Sequence, residues 1–176
     1  MKPNYLTILI TTLCIFFNAC HNSNTAPQLQ LADSLIDKRA DSALCILEKL
    51  SIEEISNKSA KAMYALLLTE ALDKNFKSHR NDSLILIAVD YYKDNSNNKL
   101  KTKAYYLGRV YQDNKEYIKA TEAYLTALKT ASPNQAPILQ IYNNLALCYE
   151  SQEFYLPAIK TYKESYATAE KMQDKY

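Results

Sequence analysis

Apolar side chains recur three and four residues apart through nearly the whole chain after Pro27, the spacing that lays one apolar stripe along a helix. Between 82 and 94, Leu84, Ile87, Ala88, Tyr91 and Tyr92 share a stripe, and Asn81 or Asp82 is available to cap the first turn. Asp41-Ser42-Ala43-Leu44 carries the same device. The spacing predicts eight helices, over 28–38, 41–50, 58–74, 82–94, 99–113, 116–131, 136–151 and 155–173, and no strand. The segments 75–81, 94–98 and 132–137 are rich in residues that leave helical geometry cheaply, and they supply the turns and links.

One part of the pattern occurs twice. Leu107, Gly108, Tyr111, Tyr117, Ala120, Tyr124 and Ala127 return 38 residues later as Leu145, Ala146, Tyr149, Tyr155, Ala158, Tyr162 and Ser165. A fixed period of this kind marks stacked helical hairpins, each burying its apolar face only against its neighbours. Gly108 or Ala146 on one helix and Ala120 or Ala158 on the next are small enough for close approach, with tyrosines filling the gaps around them. Pro157 falls in the first turn of its helix, where a missing N–H costs nothing.

On these residues, 101–173 resembles tetratricopeptide repeats. That family spaces its signature at positions four, seven, eight, eleven, twenty, twenty-four and twenty-seven of a unit of about 34 residues. Ala104, Leu107, Gly108, Tyr111, Ala120, Tyr124 and Ala127 fill them in the first clear unit, 101–134. Tyr142, Leu145, Ala146, Tyr149, Ala158, Tyr162 and Ser165 fill them in the second, 139–172. The longer offset implies an extended link around Pro133 and Pro137. Upstream, the helices of 28–94 read as diverged units, one with Tyr64, Leu67, Leu68 and Ala71 in its first helix. The resemblance implies an all-α domain over 28–176, built of antiparallel helical hairpins stacked as a right-handed α-solenoid.

It also implies a binding surface. The concave side of such arrays is lined by positions two, five, nine, twelve and thirteen of each first helix, here Thr102, Tyr105, Arg109, Gln112 and Asp113, then Gln140, Asn143, Leu147, Glu150 and Ser151. Tyr105, Arg109, Gln112, Asn143, Leu147 and Glu150 combine an aromatic, a cation, amides, an apolar anchor and a carboxylate, a set suited to holding a protein or peptide ligand. The alternative is that these residues merely cover an adjacent helix.

The first residues read differently. Lys2 precedes an apolar run from Tyr5 to Phe17, shorter than the ~20 residues needed to cross a bilayer, so 1–19 reads as a signal peptide. Phe17-Asn18-Ala19-Cys20 resembles the lipobox of bacterial lipoproteins, which implies cleavage before Cys20, lipidation of its thiol and anchoring to a membrane. Residues 20–27 then form the lipidated terminus and a flexible tether. The tether lacks the acidic cluster of surface-exported lipoproteins, which implies the periplasmic face of the outer membrane. The whole resembles tetratricopeptide lipoproteins of Bacteroidota-like bacteria and leads to the expectation of a non-enzymatic scaffold in the cell envelope. Two rivals stay open: the periplasmic sensor segment of a longer membrane regulator, and an accessory lipoprotein of outer-membrane assembly.

Composition narrows the chemistry. With 21 basic residues, one of them in the leader, against 19 acidic ones, nothing favours nucleic acid. One glycine among 176 residues cannot build a phosphate cradle. No cysteine has a neighbour at metal-ligand spacing, so no metal and no cofactor is expected. Beyond Cys14 and Cys20, only Cys45 and Cys148 remain, expected as unpaired buried thiols. His21 and His79 read as solvated loop residues rather than catalysts, and adjacent Glu53 and Glu54 point apart on a solvated edge. Most of the tyrosines within 105–166 occupy repeat-signature positions, so packing explains them before ligand stacking does.

Overall fold

The structure is a computed structural model that describes residues 25–79, 81–92, 99–131 and 137–173. The leader, Cys20, tether residues 21–24 and much of the links at 93–98 and 132–136 lie outside the described residues. Eight α-helices follow one another: α1 (Ala26–Leu35), α2 (Ala40–Leu47), α3 (Lys58–Lys74), α4 (Ser83–Tyr92), α5 (Lys99–Asp113), α6 (Tyr117–Thr130), α7 (Pro137–Ser151) and α8 (Tyr155–Gln173). A short 3₁₀ turn, Ile52–Glu54, precedes α3, and no strand occurs among the described residues.

Each helix packs on the next in sequence, and the first helices of successive hairpins also touch, α1 on α3, α3 on α5 and α5 on α7. The core is correspondingly serial. One cluster joins α1, α2 and α3 through Leu29, Ala32, Leu44, Leu47, Tyr64 and Leu67. A second joins α3, α4 and α5 through Ala65, Leu66, Ile85, Ala88, Tyr106 and Val110. A third joins α5, α6 and α7 through Ala104, Ala120, Tyr124, Ile141, Leu145 and Cys148. This is a helical repeat solenoid, in which apolar surface is buried between neighbours rather than around one centre.

The hairpin turns repeat to the atom. At the end of α5, the N–H of Lys115 donates to the carbonyl of Gln112 (3.0 Å) and that of Glu116 to Tyr111 (2.8 Å). At the end of α7, Glu153 donates to Glu150 (2.9 Å) and Phe154 to Tyr149 (2.8 Å). At the end of α3, Phe76 donates to Asp73 (3.0 Å) and Lys77 to Leu72 (2.9 Å). These are three Schellman caps, each closed by a residue in the left-handed region: Phe76 (φ 55°), Lys115 (φ 61°) and Glu153 (φ 62°). Glycine is the usual occupant of that position, and none of the three is glycine.

The caps correct the reading of the upstream unit by one residue. With Phe76 aligned to Lys115, the partners of Ala104, Leu107, Gly108 and Tyr111 are Ala65, Leu68, Thr69 and Leu72, not Tyr64, Leu67, Leu68 and Ala71. Burial agrees, because Ala65 and Thr69 are buried like Ala104 and Gly108, while Leu68 and Leu72 are half-buried like Leu107 and Tyr111. Four consecutive residues, Tyr64 to Leu67, are buried on this helix, so apolarity alone could not choose the row.

Three further expectations change. Helix α2 begins at Ala40 behind Arg39, which makes no side-chain cap, and Asp41 lies within the first turn, where its charge opposes the helix dipole. Helix α1 begins at Ala26 with Pro27 in its first turn, so the tether is shorter than 20–27. Cys45 is exposed, off the buried row of Ala43, Leu44 and Leu47, whereas Cys148 is buried; both are free thiols. Asn81 does cap α4, accepting from the N–H of Ser83 at 3.1 Å.

Gly108 meets its expectation most directly. A Cβ built there would lie 2.5, 2.6 and 2.8 Å from ring atoms of Tyr124, which is itself fully buried. The α5–α6 hairpin is therefore closed by a tyrosine ring resting on bare backbone.

Candidate functional site

Helices α5 and α7 carry the polar residues that the resemblance assigned to the concave surface. On α5, Tyr105, Arg109, Gln112 and Asp113 are half-buried and engaged inside the fold. Arg109 Nε donates to Asp73 Oδ1 of α3 at 2.6 Å, Nη1 donates to Gln112 Oε1 at 3.3 Å, and Nη2 lies 3.8 Å from Asp113 Oδ1. Burial by itself disfavours the guanidinium charge, but the charge and hydrogen bond of Asp73 outweigh it, so Arg109 holds its proton more tightly than usual. Tyr105 accepts a hydrogen bond from Asn144 Nδ2 of α7 at 3.2 Å. Burial, helped by the nearby Asp73 charge, pushes the Tyr105 hydroxyl up to about 12.

Gln112 and Glu150, the twelfth positions of their units, do the same job twice. The Tyr124 hydroxyl donates to Gln112 Oε1 at 2.7 Å, and the Tyr162 hydroxyl donates to Glu150 Oε2 at 3.3 Å. In each hairpin a tyrosine of the second helix reaches back to the acceptor on the first. On α7, Asn143 and Leu147 lie exposed, with Asn143 Oδ1 accepting from Ser165 Oγ at 3.0 Å and Leu147 42% accessible. The six candidate residues thus divide: Tyr105, Arg109 and Gln112 are woven into the α3–α5–α7 packing, while Asn143, Leu147 and Glu150 form a more open strip on α7.

His79 was expected to be solvated and is buried, 5% accessible. It lies in the loop after the α3 cap, where α4 starts later than the second helices of the other hairpins. Its N–H donates to Asp113 Oδ2 (3.2 Å), its Nδ1 lies 2.7 Å from the same oxygen, and its Nε2 lies 3.2 Å from the carbonyl of Thr69. The ring therefore pins the longer loop between α3 and α5, and both ring nitrogens are occupied within the fold. Lys74 extends the polar belt, contacting Asp37 at 2.5 Å and Glu70 at 3.0 Å. Burial raises the Glu70 carboxyl above its ordinary range, an effect Lys74 partly offsets. Sequence reading missed His79 because its burial depends on Asp113, 34 residues away.

Among the described residues, no group of three His, Cys, Asp or Glu side chains is arranged to hold a metal ion, and no helix is long and apolar enough to cross a membrane. Among the described residues, Asn143, Leu147 and Glu150 offer accessible surface for contact along α7.

Comparison with known proteins agrees with this architecture. Residues 101–171 match the tetratricopeptide repeat family. Two crystal structures of MamA share the fold. One is 21% identical with a TM-score of 0.56, over 86% of this chain and 76% of MamA. The other is 22% identical with a TM-score of 0.58, over 87% and 82% respectively. No curated protein sequence matches the chain.

Proposed function

We propose that the protein is a non-enzymatic scaffold of the bacterial cell envelope, anchored by lipid at Cys20, that holds a protein or peptide ligand on the inner face of its repeats. The observation that carries the reading is the α7 strip: Leu147 stands 42% accessible between exposed Asn143 and Glu150, an apolar anchor ringed by polar groups. The tetratricopeptide match over 101–171 supports the binding role. The lipobox-like Phe17-Asn18-Ala19-Cys20 supports the anchor and, with no acidic cluster after it, the periplasmic face of the outer membrane.

The test is cross-linked capture from native membranes with the parent chain and with Leu147→Asp, a substitution at an accessible position that leaves the Arg109 network whole. Loss of a specific protein from the variant is expected. An identical set of captured proteins would overturn the groove. A Cys20→Ser variant is expected to leave the membrane fraction with its helical content unchanged, and its retention there would overturn the anchor.

A further inference from the structure

The buried ring of His79 is met on both sides by oxygens that accept. Its Nδ1 lies 2.7 Å from Asp113 Oδ2 of α5, and its Nε2 lies 3.2 Å from the carbonyl oxygen of Thr69 on α3. A carbonyl has no proton to give. Asp113 is itself surrounded by donors, because its Oδ2 also accepts the backbone N–H of His79 at 3.2 Å and its Oδ1 faces Arg109 Nη2 at 3.8 Å. A neutral imidazole carries one N–H, so it satisfies one of the two oxygens and turns a lone pair on the other. Only the doubly protonated ring donates to both. Charge balance agrees. Asp73, Arg109, Asp113 and His79 form one continuous chain, and its two carboxylates and one guanidinium reach neutrality only when the ring is positive.

We propose that His79 is a proton-operated latch between α3 and α5. The imidazolium closes the loop that leads to α4 onto both helices. When the ring gives its second proton to solvent, one of the two bonds is lost and a lone pair is left against an oxygen at a site only 5% accessible. The other charged and titratable groups on the elements around it are engaged elsewhere. On α3, Lys74 meets Asp37 at 2.5 Å and Glu70 at 3.0 Å, and Glu70 is also bonded to Tyr106 of α5. In the loop, Lys77 meets Glu48 at 3.1 Å, and the charge of Asp82, just before α4, bears on Tyr111 and Lys119. His79 therefore has Asp113 as its counter-ion, and the opening is local to the loop. The latch depends on α3, the loop and α5 alone, so it stands apart from the lipid anchor and from the ligand-binding strip on α7.

The test is a pH titration of the detergent-solubilised full chain, carried upward until the ring has lost its second proton. Nitrogen-15 NMR follows the ring, with the His79 signals assigned by their absence from His79→Gln, and hydrogen exchange follows the backbone amides. Both ring nitrogens are expected to carry protons while the loop is closed. As the second proton leaves, exchange of the His79 amide, divided by its intrinsic rate at each pH, is expected to rise roughly 10- to 100-fold, the equivalent of one charge-assisted hydrogen bond. The amides of Lys115 and Glu116 in the α5–α6 turn are expected to hold steady, and Asp113→Asn, which removes the counter-ion, is expected to lose the step. A closed loop around a singly protonated ring, a His79 amide that ignores the loss of the proton, an equal rise at Lys115 and Glu116, or an undiminished step in Asp113→Asn would each overturn the proposal.

Discussion

Gly108→Ala isolates the contact that closes the α5–α6 hairpin. The new methyl would sit 2.5–2.8 Å from the Tyr124 ring, well inside van der Waals contact. The ring cannot swing away freely, because Tyr124 is fully buried and its hydroxyl is tied to Gln112 at 2.7 Å. Overpacking of this kind costs about 1–3 kcal/mol, against which alanine gains about 1 kcal/mol over glycine inside a helix. The net loss is therefore ~0–2 kcal/mol, too small to decide on its own. The cycle with Tyr124→Leu decides. Without the ring, Gly108→Ala should stabilise by about 1 kcal/mol, so the coupling between the two sites should be roughly 1–3 kcal/mol. Urea unfolding of the four proteins, followed by circular dichroism, measures it. A coupling near zero, with alanine stabilising in both backgrounds, would refute the packing of Tyr124 on bare backbone.

Two further outcomes follow from other features. Replacing Lys115 or Glu153 by glycine relieves a left-handed residue that costs about 1–2 kcal/mol, less the greater chain entropy glycine loses on folding; each should raise the unfolding midpoint, and a fall in either would contradict the cap. Burial raises the Cys148 thiol to about 11 and Tyr105 to about 12. Both groups ionise first in the unfolded chain, so stability is intact below about pH 9 and falls as pH rises towards 12; a thermal midpoint that stays level from pH 9 to pH 11.5 would contradict their burial.

Helices were legible because spacing alone defines a buried stripe, and all eight occur close to where that spacing put them. Registration of the upstream unit was not, because Tyr64, Ala65, Leu66 and Leu67 are all buried and any adjacent row looks equally apolar. The cap that sets it lacks the glycine that would have announced it; Phe76 gives no local warning of a left-handed turn. At the candidate site, the sequence named the residues but not what each of them touches. Arg109 meets Asp73 from 36 positions away, a pairing no periodicity encodes. The tyrosine clasp was within reach, since Gln112 with Tyr124 and Glu150 with Tyr162 are each twelve residues apart and recur at the repeat offset.

Because apolar burial is passed from neighbour to neighbour, the array has no single keystone. Asp37–Lys74–Glu70 and Asp73–Arg109–Asp113–His79 stitch the front hairpins together with charge, whereas α7 is joined to the preceding hairpin mainly through Tyr124, Leu145 and the amides of Asn144 and Gln152. Amide exchange should therefore grade along the chain rather than report one global opening, with α8, at the end of the described array, exchanging soonest.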